Sequence, residues 1–191
     1  MNTPRIPSIL AAFACLSLVA SPVVAQTAGP ALIPNSDFSA DTKGAGWPDG
    51  WGRGEGITWE TENGAHFLRL TSQRPGQMLM LYREISVTAD AKAAELTVRY
   101  RSAGIKKGEK PWFDARVIVN FMDAARKAVK PDVSPLVLKP EVAEWTTVTK
   151  RFLIPEGTQK IKFMPSLFQV AEGRVDFAEI KLIVIDPSSV Q

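Results

Sequence analysis

The sequence predicts an all-β domain folded as an antiparallel β-sandwich. Three observations predict it. Seven segments alternate apolar and polar residues with a period of two. Glycine, proline and aspartate turn signals separate them. No stretch carries the apolar spacing of a long helix, and only 89–94 and 123–129 have room for a helical turn.

Each segment follows in order. Residues 1–25 (MNTPRIPSILAAFACLSLVASPVVA) read as a secretory signal peptide: Arg5, an apolar run, then small residues ending at Ala25. Ser21-Pro22 interrupts the run, which is too short for a permanent membrane helix, and no later segment can cross a bilayer. The chain's one cysteine, Cys15, lies inside this peptide. Phe13 stands where a lipidation motif wants a small residue, which argues against a lipid anchor there. Residues 26–32 read as a short leader, 33–186 as a single domain and 187–191 as a tail. Within the domain the predicted strands are HFLRLTS (66–72), QMLMLYREISV (77–87), AELTVRYRS (94–102), ARVIVNFMD (115–123), WTTVTKRFLI (145–154), QKIKFMP (159–165) and GRVDFAEIKLIVI (173–185). The turns between them include Arg74-Pro75-Gly76, Gly104 to Gly108 and Pro155-Glu156-Gly157.

Composition excludes several function classes. The 23 Lys/Arg against 20 Asp/Glu leave a formal charge of +3, a mild excess and not a nucleic-acid footprint. His66 is the single histidine, and the predicted mature chain has no cysteine, which speaks against a transition-metal site and thiolate chemistry. No serine sits in a G-x-S-x-G elbow and no glycine-rich phosphate loop precedes a helix. Nothing in the spacing of the carboxylates picks out a glycosidase pair. The expectation is a protein that is not itself an enzyme.

Two features remain. In 95–101, Leu96, Val98 and Tyr100 oppose Thr97, Arg99 and Arg101; in 114–121 the apolar set opposes Asp114, Arg116 and Asn120. If these strands are neighbours, Arg99, Arg101, Asp114, Arg116 and Asn120 share one face, which is either a solvated surface or a sugar-reading groove. The second feature is GWPDGW (46–51), two large rings in a stretch that forms neither helix nor strand. Trp47 and Trp51 are either plugs for the end of a core or platforms for a ligand. Trp112, in the charged loop KKGEKPWFD, poses the same choice, whereas Trp59 and Trp145 fall within strand patterns and read as structural.

PNSDFS followed by GWPDGW resembles the N-terminal signature of carbohydrate-binding modules of the galactose-binding-like, jelly-roll kind, such as families 4, 9, 16 and 22. The likeness continues through GAHFLRLTS, LTVRYRS, EWTTVTKRFLIPEGT and GRVDFAEIKL, covering about 33–186. It implies sugar binding by rings and polar side chains, because an indole face covers the C–H face of a pyranose while hydroxyls keep bonding to polar neighbours. Trp112, Trp47 and Trp51 would be the rings, and Arg99, Arg101, Asp114, Arg116 and Asn120 the partners. The resemblance also implies a possible structural calcium ion, for which Asp37, Asp41 and Glu179 are the available carboxylates. Ser39 and Ala178 depart from the acidic residues common at those places. The expected function is a secreted or periplasmic, non-catalytic protein that binds a β-linked polysaccharide and acts beside a separate polysaccharide-degrading enzyme. Two alternatives stay open: a structural or protein-interaction sandwich of the cell envelope, and a small secreted polysaccharide-active enzyme.

Overall fold

The computed structural model describes residues 31–190. The segment 1–25 read as a signal peptide, and most of the expected leader at 26–32, lie outside the described residues. Eleven strands follow one another: β1 (Ile57–Glu62), β2 (Ala65–Thr71), β3 (Met78–Met80), β4 (Arg83–Ser86), β5 (Ala93–Lys106), β6 (Ala115–Met122), β7 (Ala128–Val129), β8 (Leu136–Val137), β9 (Val142–Leu153), β10 (Lys160–Phe168) and β11 (Glu172–Val184). They form two antiparallel sheets. The first has the order β1-β2-β11-β5-β9. The second has the order β3-β10-β6-β7, with β4 also on β10 and β8 also on β6. This is a jelly-roll β-sandwich. Among the described residues the only helical segment is a single 3-10 turn, Pro187–Ser189, whose N-cap Asp186 accepts from the Ser188 amide.

The alternation is read out as expected. Leu68, Leu70, Leu96, Val98, Tyr100, Phe177 and Leu182 of the first sheet are buried against Leu79, Val117, Val119, Phe121, Ile161, Phe163 and Leu167 of the second. Three details differ from the sequence reading. The segment 77–87 is broken at Leu81-Tyr82 into β3 and β4, both pairing with β10. Strand β1 joins as an edge strand beyond β2. Residues 123–126 form a tight turn leading into β7, closed by the Asp123 carboxylate on the Lys127 amide (2.9 Å), and no helical turn forms there.

One difference bears on function. Strands β5 and β6 are not neighbours: β5 lies in the first sheet and β6 in the second. The long strands alternate between sheets as the chain advances, so outward residues of consecutive strands lie on opposite sides of the sandwich. Arg99 and Arg101 therefore do not share a face with Arg116 and Asn120. Period-two patterning fixes which side chains point outward but carries no information about which sheet a strand joins.

The outward side of the first sheet is tied together by Asp176. Its side chain is fully buried, with both oxygens engaged. Arg69 Nε and Nη2 donate to Oδ1 and Oδ2 at 2.8 Å from one neighbouring strand, and Arg101 Nε donates to Oδ2 at 2.8 Å from the other. The register makes this possible, since Asp176 stands opposite Arg69 on β2 and opposite Arg101 on β5. Burial pushes the carboxyl pKa up, but the two guanidinium groups together outweigh it and hold the pKa below the ordinary aspartate value.

A depressed folded-state pKa means that this stabilisation is fully present at neutral pH and is lost only as pH falls below the ordinary carboxylate range. Asp176→Asn should cost about 3 kcal/mol, the lower end for breaking a buried pair, because both guanidinium groups keep some hydration. The expected drop in thermal midpoint is roughly 6–12 °C at neutral pH. The gap between parent and variant should narrow on acidification. A midpoint within a degree or two of the parent at neutral pH would remove Asp176 from this role.

Candidate functional site

The outward side of the second sheet carries the candidate site. Strand β6 presents Arg116, Ile118 and Asn120 outward, because Val117, Val119 and Phe121 fill the core. Strand β10 sets Ser166 beside Arg116, Met164 beside Ile118 and Lys162 beside Asn120. On the other flank of β10, Met80 stands opposite Ser166 and Glu84 opposite Lys162. The result is a strip with an apolar floor of half-buried Met80 and Ile118, a covered Met164 between them, and polar groups at both ends. Arg116 and Asn120 are four strand residues apart, roughly 13 Å.

Rings stand at the two ends. Trp112, on the loop before β6, is 53% exposed. Its ring lies edge-on to Phe113 (6.2 Å), which tilts against Phe168 (5.7 Å). The loop is held by Arg116, whose Nε donates to buried Asp114 (2.6 Å) and whose Nη2 donates to the Trp112 carbonyl. Asp114 and Arg116 thus pin the backbone beneath Trp112. At the other end Tyr82 is 44% exposed, with the Lys162 ammonium 4.5 Å from its ring centre. The Tyr82 hydroxyl donates to Glu84 (3.0 Å), which also accepts from Arg126 Nη2 (2.6 and 2.5 Å). That arginine first, then the tyrosine hydroxyl, holds the Glu84 carboxyl below its ordinary pKa. Among the described residues, neither the Asn120 amide nor the Lys162 ammonium has a hydrogen-bond or ion-pair partner. The strip therefore combines exposed rings with unspent hydrogen-bonding capacity.

The GWPDGW loop has a different job. Trp51 is 5% exposed, tilts against Phe38 at 4.8 Å, and donates through Nε1 to the Asn35 carbonyl (2.8 Å). The Arg83 guanidinium lies 4.9 Å from the Trp51 ring centre. Gly50, at φ +76°, leaves room for that guanidinium, since a Cβ would sit 2.9 Å from two of its nitrogens. Trp47 is half-buried against the core, donates to the Trp51 carbonyl (2.9 Å) and is flanked by Arg53 at 5.2 Å. Trp51 is thus a plug at the sandwich edge and Trp47 braces it.

Arg101 and Arg99 lie on the opposite side, where Arg101 is fully engaged and Arg99 has no hydrogen-bond or ion-pair partner among the described residues. Besides Asp176, Arg101 bonds Glu62 (2.8 Å) and lies 4.4 Å from the Trp145 ring, whose Nε1 donates to Glu62 (3.2 Å). Phe67 meets Trp145 edge-on at 5.4 Å and is almost fully covered. Trp59 is partly buried and stacked on His66 at 4.5 Å. Trp59 packs against the core, whereas Trp145 is half-buried outside it and lines a hollow. Arg99 reaches only the Trp145 ring (5.4 Å), beside a shallow hollow of about 150 Å³ that includes Glu62 and His66.

The structure does not gather Asp37, Asp41 and Glu179 into a calcium site. Asp41 spends one oxygen on the Ala45 amide and the other on the Gly46 amide, both at 2.8 Å. Asp37 accepts from the amide and hydroxyl of Ser39, and Glu179 sits opposite Arg99 on β11. Calcium needs six or more oxygens converging on one point. Among the described residues no group of three or more His, Cys, Asp or Glu could hold a metal ion.

Tyr82, Lys162, Met80 and Met164 belong to the strip but were not singled out from sequence. The usable signal was chemical: Met80 and Met164 occupy outward positions, where a merely solvated strand carries charged residues.

No protein-family model matches the chain, and no curated protein sequence matches it. Solved structures do. The enzymatically active domain of tailspike protein 4 from bacteriophage CBA120 superposes with a TM-score of 0.55 at 10% identity, over 81% of this chain and 21% of that one. The CBM22-1–CBM22-2 tandem domain of Paenibacillus barcinonensis Xyn10C gives 0.52 at 14% identity, over 85% and 47%. The module TmCBM61, solved with β-1,4-galactotriose, gives 0.52 at 12% identity, over 82% of this chain and 100% of that one. This chain thus spans about a fifth of the tailspike domain and about half of the tandem. At these identities the likeness establishes the fold.

The two kinds of tryptophan are separable by stability. Trp51→Ala should cost about 3–5 kcal/mol, since it empties a core position. Trp112→Ala should stay within about 0.5 kcal/mol of the parent, since an exposed ring buries little area. Urea unfolding of both variants checks this, and equal losses would contradict the assignment.

Proposed function

We propose that this protein is a non-catalytic carbohydrate-binding protein that holds a β-linked polysaccharide along the outward strip of β6 and β10. The observation that carries this reading is the pairing of exposed rings, Trp112 and Tyr82, with the unspent amide of Asn120 and ammonium of Lys162 on one face. A sugar ring needs both at once: a flat apolar surface for its C–H face and free donors and acceptors for its hydroxyls. The apolar floor offered by Met80 and Ile118 suits the ring edges between them. The fold shared with a module solved on a galactotriose adds support by analogy. Of the earlier site residues, Trp112 and Asn120 touch the ligand in this reading, while Asp114 and Arg116 position Trp112. Trp51, Trp47, Arg101 and Arg99 lie outside it.

A non-catalytic role fits the carboxylates of this face. Asp114 is bound by Arg116 and Glu84 by Arg126, so neither is poised as a free acid or base. The domain is proposed to span 33–186 after an exported signal peptide at 1–25, and a separate polysaccharide-degrading enzyme is the proposed working partner.

A second reading, a protein-interaction sandwich of the envelope, draws on Met78 and Val137, which are 47% and 56% exposed on the same sheet. Binding measurements decide between the two. Trp112→Ala and Asn120→Ala should each weaken retention by a β-linked polysaccharide, losing roughly 1–3 kcal/mol for the ring and about 1 kcal/mol for the amide. Affinity electrophoresis of folded variants in polysaccharide-containing gels reads both. Retention of the parent by no polysaccharide in a broad panel would favour the second reading.

A further inference from the structure

The charges on the strip are unevenly compensated. The cations on or beside it include Lys110, over the Trp112 ring at 5.4 Å, and Arg116, Arg126, Lys160 and Lys162, with Asp114 and Glu84 as carboxylates. Each carboxylate is engaged by an arginine: Asp114 by Arg116 at 2.6 Å and Glu84 by Arg126 through both oxygens. Glu84 is the direct cross-strand neighbour of Lys162, the natural partner on a sheet face. Its oxygens are nonetheless taken up by Arg126 and the Tyr82 hydroxyl. Lys162 is left half-buried over the Tyr82 ring with no acid within ion-pair distance among the described residues, and Lys160 lies two residues along the same outward phase. Asp123, just past β6, spends an oxygen on the Lys127 amide.

An ammonium placed on a sheet face without a counter-ion is open to an incoming anion. On this face the position is specific. Lys162 stands beside the free Asn120 amide, at the end of the strip opposite Trp112. A carboxylate arriving there would take a charge-assisted bond from Lys162 and a donor from Asn120, while its sugar ring lies over the apolar floor.

We infer that the ligand is an acidic polysaccharide, one whose repeating sugar carries a carboxylate, and that Lys162 with Asn120 forms the subsite for that group. The inference rests on the carbohydrate reading of the strip and narrows it to a substrate class. A sulfate ester would present the same charge, so the test separates the two sources.

The probes are β-linked oligomannuronate, the same oligomer as its methyl ester, dextran sulfate, and a neutral β-glucan oligomer, each titrated calorimetrically against the parent, Lys162→Gln, Lys160→Gln and Lys162→Arg. The parent should bind the acid at least about tenfold more tightly than its methyl ester, with affinity falling as salt rises. Lys162→Gln should remove most of that preference, weakening the acid at least about fivefold more than the ester, and Lys162→Arg should keep it. Lys160→Gln, farther from Asn120, should have the smaller effect. A thermal midpoint for each variant guards against misfolding. Equal affinity for acid and ester would overturn the inference and leave the carbohydrate reading standing. Binding of dextran sulfate without oligomannuronate would overturn the carboxylate subsite in favour of unspecific anion binding. Binding of none of the four would overturn the inference together with the reading beneath it.

Discussion

The buried carboxylate of Asp176 decides how polar capacity is shared over this molecule. A charge so completely removed from water is tolerable only if every oxygen is bonded. Here Arg69 and Arg101 provide those bonds from the strands on either side. The consequences spread outward, since Arg101 also holds Glu62, which in turn takes the Trp145 indole N–H. One side of the sandwich thereby becomes a largely closed network of groups bonded to one another. It stiffens three central strands and leaves Arg99, over the Trp145 ring, with its donors unspent among the described residues.

The opposite side is built on another principle. Its two arginines are spent on positioning: Arg116 fixes the loop under Trp112, and Arg126 draws Glu84 away from Lys162. What remains is two exposed rings, the half-buried Met80 and Ile118 over a covered Met164, an amide and an ammonium. A polar face alone is the ordinary state of a sandwich. On this face unspent groups stand beside two exposed rings, whereas the other face offers Arg99 beside the half-buried Trp145.

Much of the architecture was legible in the sequence because a half-buried strand must alternate. The segments 66–72, 94–102, 115–123 and 173–185 all sit where the period placed them, and the outward phase read for 95–101 and 114–121 was correct. What the pattern could not carry was sheet membership. Arg99 and Asn120 both point outward, yet 94–102 and 115–123 join different sheets, so a face assembled from both does not exist. Loop tryptophans were likewise undecidable by composition. Trp51 and Trp112 both sit in short loops rich in glycine, proline or charge. The first is drawn inward by Phe38, the Asn35 carbonyl and Arg83, and the second is held outward by a pinned backbone. Lys162 was invisible for a related reason: its significance lies in Glu84 being bound elsewhere, which only side-chain geometry reveals.

The central claim is that the ligand lies on β6 and β10 and not on the face of Asp176. Backbone amide NMR during titration with a β-linked saccharide oligomer tests it most directly. The account predicts shifts concentrated at Trp112, Arg116 to Asn120 and Lys162 to Ser166, together with the Trp112 indole, while Arg69, Arg101, Trp145 and Asp176 stay still. Shifts centred on Phe67, Arg99 and Trp145, with the β6 and β10 strip unmoved, would contradict it.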